Sequence, residues 1–313
     1  MNILIYSDFH IKNSELKECE LVGNEIISLC KKYNVTKVIS LGDNFDTSKP
    51  SSLELSFFAS FLKTLNCEVI LIAANSHESE TPEDSIVNHF GILSDKVTVV
   101  KEYQDGDHMY CGHFTLVESK YSFGAKHSKN DFKNYKYVFL GHQHSYEIVK
   151  PNICQLGAVR YVDFAESQDK AKVVCLIENY GEDDKEKVSF LGLKYPFHMV
   201  DVTLSPDGKI TQPGSIVAQS EEEFKAILDK LDSLTKVRVI FKDFKSYTQV
   251  INSLANYKNK FLLFKEKKEF LISENNDICL SKETVDIKES LIKFLEEQKI
   301  DKTIKNILLE EIN

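Results

Sequence analysis

Long apolar runs and closely spaced cysteines are both missing from this 313-residue chain. No apolar run approaches the roughly 20 residues that a transmembrane helix needs, so a membrane span is not expected. The seven cysteines contain no Cys-x-x-Cys pair, which argues against a zinc site built from cysteines. Their odd number and wide spacing are typical of reduced thiols, and the N-terminus enters a strand pattern without a signal peptide. We therefore expect a cytoplasmic protein.

Basic residues are fewer than acidic ones, with 39 Lys and Arg against 48 Asp and Glu, and the net charge is −9. An acidic chain of this kind does not suit a general nucleic-acid coat. Residues 236–268 depart from the average, with nine Lys or Arg against two acids. Such a basic stripe can bind a polyanion. With 42% hydrophobic residues the chain can bury a sizeable core, and its length suits a large domain plus a smaller one.

The first 75 residues alternate between strand and helix patterns, which predicts a βαβαβ unit with parallel strands. The strands are predicted at 2–7, 36–41 and 68–73, and the helices at 14–33 and 51–65. In such sheets functional groups collect at the carboxyl ends of the strands. Asp8, Asp43 and Asn75 all lie at that edge.

A helix pattern at 81–93, with Thr81 as N-cap, is followed by a series of short strands. These strands are predicted at 97–100, 108–116, 136–141, 146–149, 153–156, 171–178 and 187–194. They indicate a second, mostly antiparallel sheet that packs on the first. The expected fold class is therefore α/β, a two-sheet α/β sandwich. A turn signal at 205–208 marks the boundary of this domain, which is therefore predicted to span 1–206.

The rest of the chain predicts a smaller α+β domain at 207–273. Its elements are helices at 221–234 and 246–256 and strands at 236–241, 260–265 and 268–272. Residues 274–284 are polar and read as a linker. Residues 285–313 contain two amphipathic segments, which predict C-terminal helices. These helices form either a closing hairpin or a docking site for the coiled coil of a partner.

Asp, His and Asn residues recur at or near the carboxyl ends of the predicted strands. They form five motifs, Asp8-Phe9-His10, Gly42-Asp43-Asn44-Phe45-Asp46, Asn75-Ser76-His77, Gly112-His113 and Gly141-His142-Gln143-His144. Hydrolysis of a phosphate ester needs neutralised phosphate oxygens and an activated water, and two divalent cations can supply both. Carboxylate and imidazole donors suit manganese, iron or zinc better than magnesium. The motifs therefore predict a metal site, and a pair of cations there would suit phosphate-ester chemistry.

In this order, over residues 1–145, the motifs resemble those of the calcineurin-like metallophosphoesterases. The resemblance implies two divalent cations, for which we expect Mn²⁺. It places Asp8, His10 and His144 on one cation, and Asn75, His113 and His142 on the other. Asp43 is implied as the bridging ligand. Asp46 is interpreted as a residue that orients a histidine or the backbone.

The third motif departs from the family pattern Asn-His-Asp, because Ser76 stands between Asn75 and His77. Aligned from the strand, Asn75 keeps the ligand position and Ser76 occupies that of the catalytic histidine. Aligned from the other side, His77 keeps the histidine position and Ser76 replaces the ligand. We expect Asn75 to be the ligand and His77 to protonate the leaving oxygen. If Ser76 replaces the acid, the reaction should be slower by roughly 10²–10⁴-fold.

A narrower resemblance is to the SbcD-type DNA repair nucleases. Residues 155–166 look like the Gly-Ser-x-x-Arg segment near the end of their nuclease domain, with Ala158 in place of the serine. Residues 192–197 look like their exit strand. By this resemblance the domain after 207 is a capping domain that contacts DNA, and the chain works as a homodimer with an SbcC-type coiled-coil ATPase. Its short length is similar to that of phage versions, which would place it in the host cytoplasm.

The expected DNA contacts are basic side chains. They are Arg160, Lys236, Arg238, Lys242, Lys258 and Lys260. Lysines of the stripe can follow a DNA backbone, whereas its aromatic residues fall within predicted elements and are assigned to the core. Arg160 is either a phosphate clamp or a salt-bridge partner of Glu166. The predicted function is a DNA exo- and endonuclease subunit; the alternatives are a small-molecule phosphodiesterase or phosphatase, and a non-catalytic metal-binding scaffold.

Overall fold

The computed structural model describes residues 1–74, 85–122, 124–169, 171–195, 197–208, 215–261 and 263–268. Asn75, Ser76 and His77, together with the predicted linker and C-terminal helices at 274–313, lie outside these residues, so the predictions for them stay predictions. The strands are β1 (Ile3–Tyr6), β2 (Lys37–Ser40), β3 (Glu68–Ile72), β4 (Val97–Val100), β5 (Tyr103–Asp105), β6 (Met109–His113), β7 (Tyr137–Gly141), β8 (Glu147–Lys150), β9 (Ile153–Gln155), β10 (Val173–Glu178), β11 (Lys187–Gly192), β12 (Met199–Leu204), β13 (Ile216–Ala218), β14 (Lys236–Phe241) and β15 (Leu263–Lys268). The helices are α1 (Leu16–Lys32), α2 (Ser52–Leu65), α3 (Asn88–Leu93), α4 (Glu221–Lys230) and α5 (Phe244–Lys258).

The first sheet has six strands in the order β11-β10-β1-β2-β3-β4. Strands β1 to β4 are parallel, whereas β10 runs antiparallel to β1 and β11 antiparallel to β10. The parallel pairing of β1, β2 and β3 confirms the predicted βαβαβ unit. The sequence pattern assigns β4, β10 and β11 to the second sheet, and that assignment is wrong, because all three add to the first.

The second sheet has five strands in the order β5-β6-β7-β9-β8. Its three central strands, β6, β7 and β9, are parallel, and only the edge strands β5 and β8 run antiparallel to their neighbours. The prediction of a mostly antiparallel sheet is therefore wrong. The long connection between β6 and β7 explains the difference, since it carries the chain back to the end of the sheet where β6 began.

The two sheets pack face to face, and the α/β sandwich expected from the sequence is confirmed. Alternate residues of β1 face opposite sides, as the two-residue period of a strand requires. Ile3 and Ile5 join Met109 and Phe139 in the core between the sheets. Leu4 and Tyr6 belong instead to the core beneath α1 and α2. The strand ends of both layers are therefore held rigidly next to each other.

A third, smaller sheet has the order β13-β12-β14-β15 with all strands parallel, and α4 and α5 pack on it. Strand β12 belongs to this sheet although it precedes residue 207, where the sequence places the domain boundary. The predicted strands at 260–265 and 268–272 correspond, among the described residues, to the single strand β15. Phe241, Tyr247 and Phe261 lie in the apolar core of this unit, so the assignment of the aromatic residues to packing is confirmed. Among the described residues no helix is both long and apolar enough to cross a membrane.

Candidate metal centre

The loops that follow β1 and β2 run side by side at the carboxyl edge of the first sheet. Asp8 and His10 follow β1, and Asp43 follows β2. The amide of Asp8 donates to the carbonyl of Gly42 (3.1 Å), and the amide of His10 donates to the carbonyl of Asp43 (3.0 Å). These backbone hydrogen bonds hold the two loops together and so fix where the three side chains begin.

Four residues of the predicted site have left-handed backbone conformations. These are Asp8 (φ 50°), His10 (φ 48°), Asp43 (φ 47°) and His142 (φ 85°). They make up four of the seven non-glycine residues with positive φ in the described part of the chain. Such conformations are unfavourable for most L-residues and are concentrated where function needs a particular side-chain direction. The concentration makes these loops candidates for a functional site.

One group of donor atoms consists of Asp8, His10 and His144, whose ligand atoms all lie within 4.8 Å of one another. Nε2 of His10 lies 3.0 Å from Nε2 of His144. Oδ1 of Asp8 lies 3.9 Å from the former nitrogen and 4.0 Å from the latter. Two nitrogens that bind one ion at right angles and at about 2.1 Å each would be about 3 Å apart. The group therefore fits a single cation.

The second group consists of Asp43, His113 and His142. Nδ1 of His113 lies 2.7 Å from the carbonyl oxygen of Leu41, which can only accept, so Nδ1 carries the proton. Nε2 then faces Oδ2 of Asp43 at 3.3 Å, and it is buried without a hydrogen-bond partner among the described residues. The His142 ring lies with its centroid 5.3 Å from that of His113. An inward-facing imidazole nitrogen beside a carboxylate fits a second cation.

Two glycines make room for the His113 ring. A Cβ atom on Gly42 would lie 2.7 Å from Nδ1 of His113. A Cβ atom on Gly141 would lie 2.9 Å from the same nitrogen and 2.5 Å from Oγ of Ser7. Real Cβ contacts are not that short, so neither position accepts a larger residue without displacing the His113 ring.

The outer nitrogen of His144 is held by Glu166. Its Nδ1 donates to Oε1 of Glu166 at 3.0 Å, which directs Nε2 to the candidate cation. Lys172 donates to the other oxygen of the same carboxylate and to the backbone carbonyl of His144. Burial would raise the pKa of Glu166, but the hydrogen bond from His144 and the charge of Lys172 lower that pKa to about 2. Glu166 is therefore a charged residue that orients His144, a role that the sequence pattern did not predict.

Asp46 lies on the outer side of His10, with Oδ1 3.6 Å from Nδ1 of the ring. Its other oxygen accepts from Lys12 at 2.7 Å. Burial opposes ionisation of Asp46, but His10 and Lys12 together lower its pKa below the usual range. Its position agrees with the interpretation of Asp46 as a residue that orients a histidine.

The electrostatics of the site also favour cations. The side chains of Asp8 and Asp43 are 0% and 1% exposed. Buried carboxylates are unfavourable unless positive charge compensates them. Burial would lower the pKa of His113, but Asp43 outweighs burial and raises that pKa to about 9. The site thus attracts positive charge strongly, whether a proton or a metal ion.

The structure does not place all predicted residues at the site. It brings together Asp8, His10, Asp43, His113, His142 and His144, and the metal-binding role of Asn75 and the catalytic role of His77 concern residues that are not described. Arg160 is only 1% exposed, and its guanidinium donates to the backbone carbonyls of Phe9 and His10 and pairs with Glu15 and Glu18. Its partner is therefore not Glu166, and it is not a phosphate clamp.

The other predicted DNA contacts differ in exposure. Lys236 is 0% exposed and pairs with Glu15 and Glu18, so its predicted contact with DNA is wrong, because a phosphate has no path to it. Arg238 forms two hydrogen bonds of 2.8 Å to Asp201. Lys258 pairs with Glu266 at 2.8 Å, and Lys260 donates to backbone carbonyls at the end of α4. For Arg238, Lys242, Lys258 and Lys260, DNA contact stays a prediction.

A cavity of about 300 Å³ opens beside His142 and His144. Its lining is Thr115, Tyr121, Gln143, Ser145, Asp163, Ala165 and Glu166 together with the two histidines. Tyr121 is 50% exposed, and its amide donates to Oε1 of Gln143 at 3.4 Å. The cavity thus offers an accessible aromatic ring next to the candidate cations.

No protein-family profile and no curated protein matches the chain. One similar solved structure is a conserved uncharacterized protein from Streptococcus pneumoniae TIGR4, described as a predicted phosphoesterase. The two share 16% sequence identity and superpose with a TM-score of 0.31 over 61% of this chain and 88% of the other. A second solved structure has 9% identity and a TM-score of 0.36 over 62% of this chain and 99% of its own. Similarity at this level says nothing about the function of the chain.

Proposed function

We propose that this protein is a metal-dependent phosphodiesterase that cleaves DNA. The observation that carries the proposal is the pair of adjacent donor groups, Asp8 with His10 and His144, and Asp43 with His113 and His142. Two neighbouring divalent cations are the common device for hydrolysing phosphodiesters. Bound there, they would neutralise phosphate oxygens and lower the pKa of a coordinated water.

The residues of the chain have separate tasks in this proposal. Asp8, His10 and His144 would hold one cation, and His113 and His142 the other, with Asp43 proposed as a ligand shared by the two and Asn75 as a further ligand. Glu166 and Asp46 lie beside the outer nitrogens of His144 and His10, so that Nε2 of each ring would point to the cation. His77 is proposed to protonate the leaving oxygen. If Ser76 occupies the position of the acid instead, this step would be slower.

The donor set favours some metals over others. Imidazole nitrogens make up four of the six donors in the two groups, and they suit manganese, iron or zinc better than magnesium. We propose manganese as the working ion.

DNA is proposed over a small phosphoester for two reasons. Tyr121 offers a half-exposed ring beside the histidines, and a base can stack on such a ring. The small unit adds partly exposed cations, namely Arg238 on β14, Lys258 at the end of α5 and Lys260 just after it. A coiled-coil ATPase partner and a homodimer are proposed on the sequence resemblance alone.

The test is cleavage of hairpin and linear DNA with Mn²⁺ by wild type and by the Asp43→Ala variant. We expect Mn²⁺-dependent cleavage that the variant loses, while Asp183→Ala, which removes an exposed carboxylate far from the motifs, retains it. A bis-aryl phosphodiester serves as a generic substrate. Cleavage of that substrate without any cleavage of DNA would overturn the nuclease proposal, and inactivity on both with Mn²⁺ bound would favour the scaffold.

A further inference from the structure

Four charged side chains form a buried cluster between the first sheet and the small sheet. They are Glu15, Glu18, Arg160 and Lys236, with exposed fractions of 11%, 0%, 1% and 0%. Nη1 of Arg160 lies 2.6 Å from Glu15 and 3.2 Å from Glu18. Two cations and two carboxylates leave the cluster without net charge, and burial of this kind is tolerated only when each charge is paired.

The cluster contacts the backbone of the metal-binding loop directly. Nε of Arg160 donates to the carbonyl of Phe9 at 2.8 Å, and Nη2 donates to the carbonyl of His10. The same segment also binds the loops on either side, because the amide of Ala158 donates to His144 (2.9 Å) and that of Val159 to Ser7 (3.1 Å). Arg160 therefore helps to fix the position of His10, a candidate ligand, by binding the backbone carbonyl of His10.

Lys236 is the member of the cluster that comes from the small sheet. Its Nζ lies 2.5 Å from Glu15 and 2.6 Å from Glu18, and it donates to the carbonyl of Tyr161 at 2.7 Å. Arg160 and Lys236 share the same oxygens of both carboxylates. If Lys236 were absent, both carboxylates would compete for Arg160 and draw its guanidinium away from the two carbonyls.

We propose that Lys236 is a positioning residue for the metal centre, so that a side chain of the small sheet sets the cation affinity through Arg160 and the His10 loop. The inference rests on the proposed function only in that the centre binds divalent cations. Electrostatics and positioning predict opposite results for loss of Lys236. The extra negative charge alone would strengthen cation binding, whereas displacement of His10 would weaken it.

The experiment is calorimetric titration of the full chain with Mn²⁺ alone. Lys236→Met keeps the length of the side chain and removes its charge. We expect its Mn²⁺ affinity to be at least about tenfold weaker than that of wild type, the order of effect seen when an orienting partner is lost. Circular dichroism at the titration temperature verifies that the variant is folded. Lys225→Met, which breaks an exposed pair with Glu221 on α4, is the matched control and should bind as wild type does.

A second variant tests the mechanism. Adding Glu15→Gln to Lys236→Met removes the charge imbalance, so most of the lost affinity should return. If Lys236→Met does not fold, Arg160→Lys carries the test, since it keeps the charge but cannot hold both carbonyls, and it should also bind Mn²⁺ about tenfold more weakly. Affinity equal to or above that of wild type in Lys236→Met, or in Arg160→Lys, would overturn the inference. A wild type that binds no Mn²⁺ would instead overturn the proposed function.

Discussion

Nε2 of His10 and Nε2 of His144 lie 3.0 Å apart, although 134 residues separate them in the chain. His10 follows β1 of the first sheet, whereas His144 follows β7 of the second. The second donor group is divided in the same way, with Asp43 from one sheet and His113 and His142 from the other. Each candidate cation site therefore draws its donor atoms from both layers of the sandwich.

Manganese should stabilise the folded protein, because an ion that binds only the folded state adds its binding free energy to that of unfolding. At a free concentration about 100-fold above the dissociation constant the gain is about 2.7 kcal/mol. Thermal denaturation with increasing Mn²⁺ measures it as a rising midpoint. Asp43→Ala should show a much smaller rise. An unchanged midpoint at saturating Mn²⁺ would contradict a cation that joins the sheets.

Glu166→Gln should weaken Mn²⁺ binding by about 10–100-fold, since the neutral amide holds the proton on Nδ1 of His144 less firmly. Titration against a fluorescent chelator measures this affinity. Glu182→Gln removes a half-exposed carboxylate that pairs with Lys185 and serves as the control. Equal affinities of the two variants would show that the hydrogen bond of 3.0 Å to His144 does not orient the ring.

Gly141→Ala should destabilise the protein by about 1–3 kcal/mol, the usual cost of overpacking a filled interior. The added methyl group would lie 2.5 Å from Oγ of Ser7 and 2.9 Å from Nδ1 of His113. Urea denaturation of the metal-free protein gives the free energy of unfolding. Gly192→Ala is the control, because a methyl group there meets no atom within 4 Å. Similar losses in both variants would mean that the room around His113 is not the cause.

Glu186 should contribute stability that disappears in acid. Burial would raise its pKa, but Lys136 at 2.7 Å and the amide of Gly181 at 2.9 Å help to lower that pKa to about 2 from the ordinary 4.5. A lowered folded-state pKa gives stability that is complete above pH 4.5 and is lost as the pH falls towards 2. The difference in unfolding free energy between wild type and Glu186→Gln should therefore shrink over this range. A constant difference would contradict the lowered pKa.

The sequence predicts the convergence of the site well because the reason is local and general. Asp8 and Asp43 each follow a short apolar strand, and the carboxyl ends of parallel strands share one edge. The positions of His142 and His144 follow from the same argument once β7 is parallel to β6. The sequence pattern of a short strand contains no information about its direction, however. It contains none about which sheet the strand joins either, and so the assignments of β4, β10 and β11 to the second sheet, and its predicted antiparallel order, are wrong.

Arg160 and Lys236 show a second limit. Charged residues are mostly exposed, so a basic stripe is read as surface. A buried ion cluster depends on Glu15 and Glu18, which are more than 140 residues away from Arg160 and give no signal in the local pattern. Glu166 does have a local sequence signal. Asp163 and Glu166 have the spacing of a capping box, and in the structure they form that box at the start of the short helix Phe164–Gln168.

The left-handed backbone at Asp8, His10, Asp43 and His142 limits which donors evolution or design can place there. Asp, Asn and His enter this region far more readily than other side chains apart from glycine. Replacing one of these residues with Glu or Cys to change the metal preference would supply a suitable donor atom. The new residue would still be strained in the left-handed backbone conformation. Libraries that seek a new metal specificity in this scaffold should therefore vary these positions only among Asp, Asn and His, and introduce softer donors elsewhere.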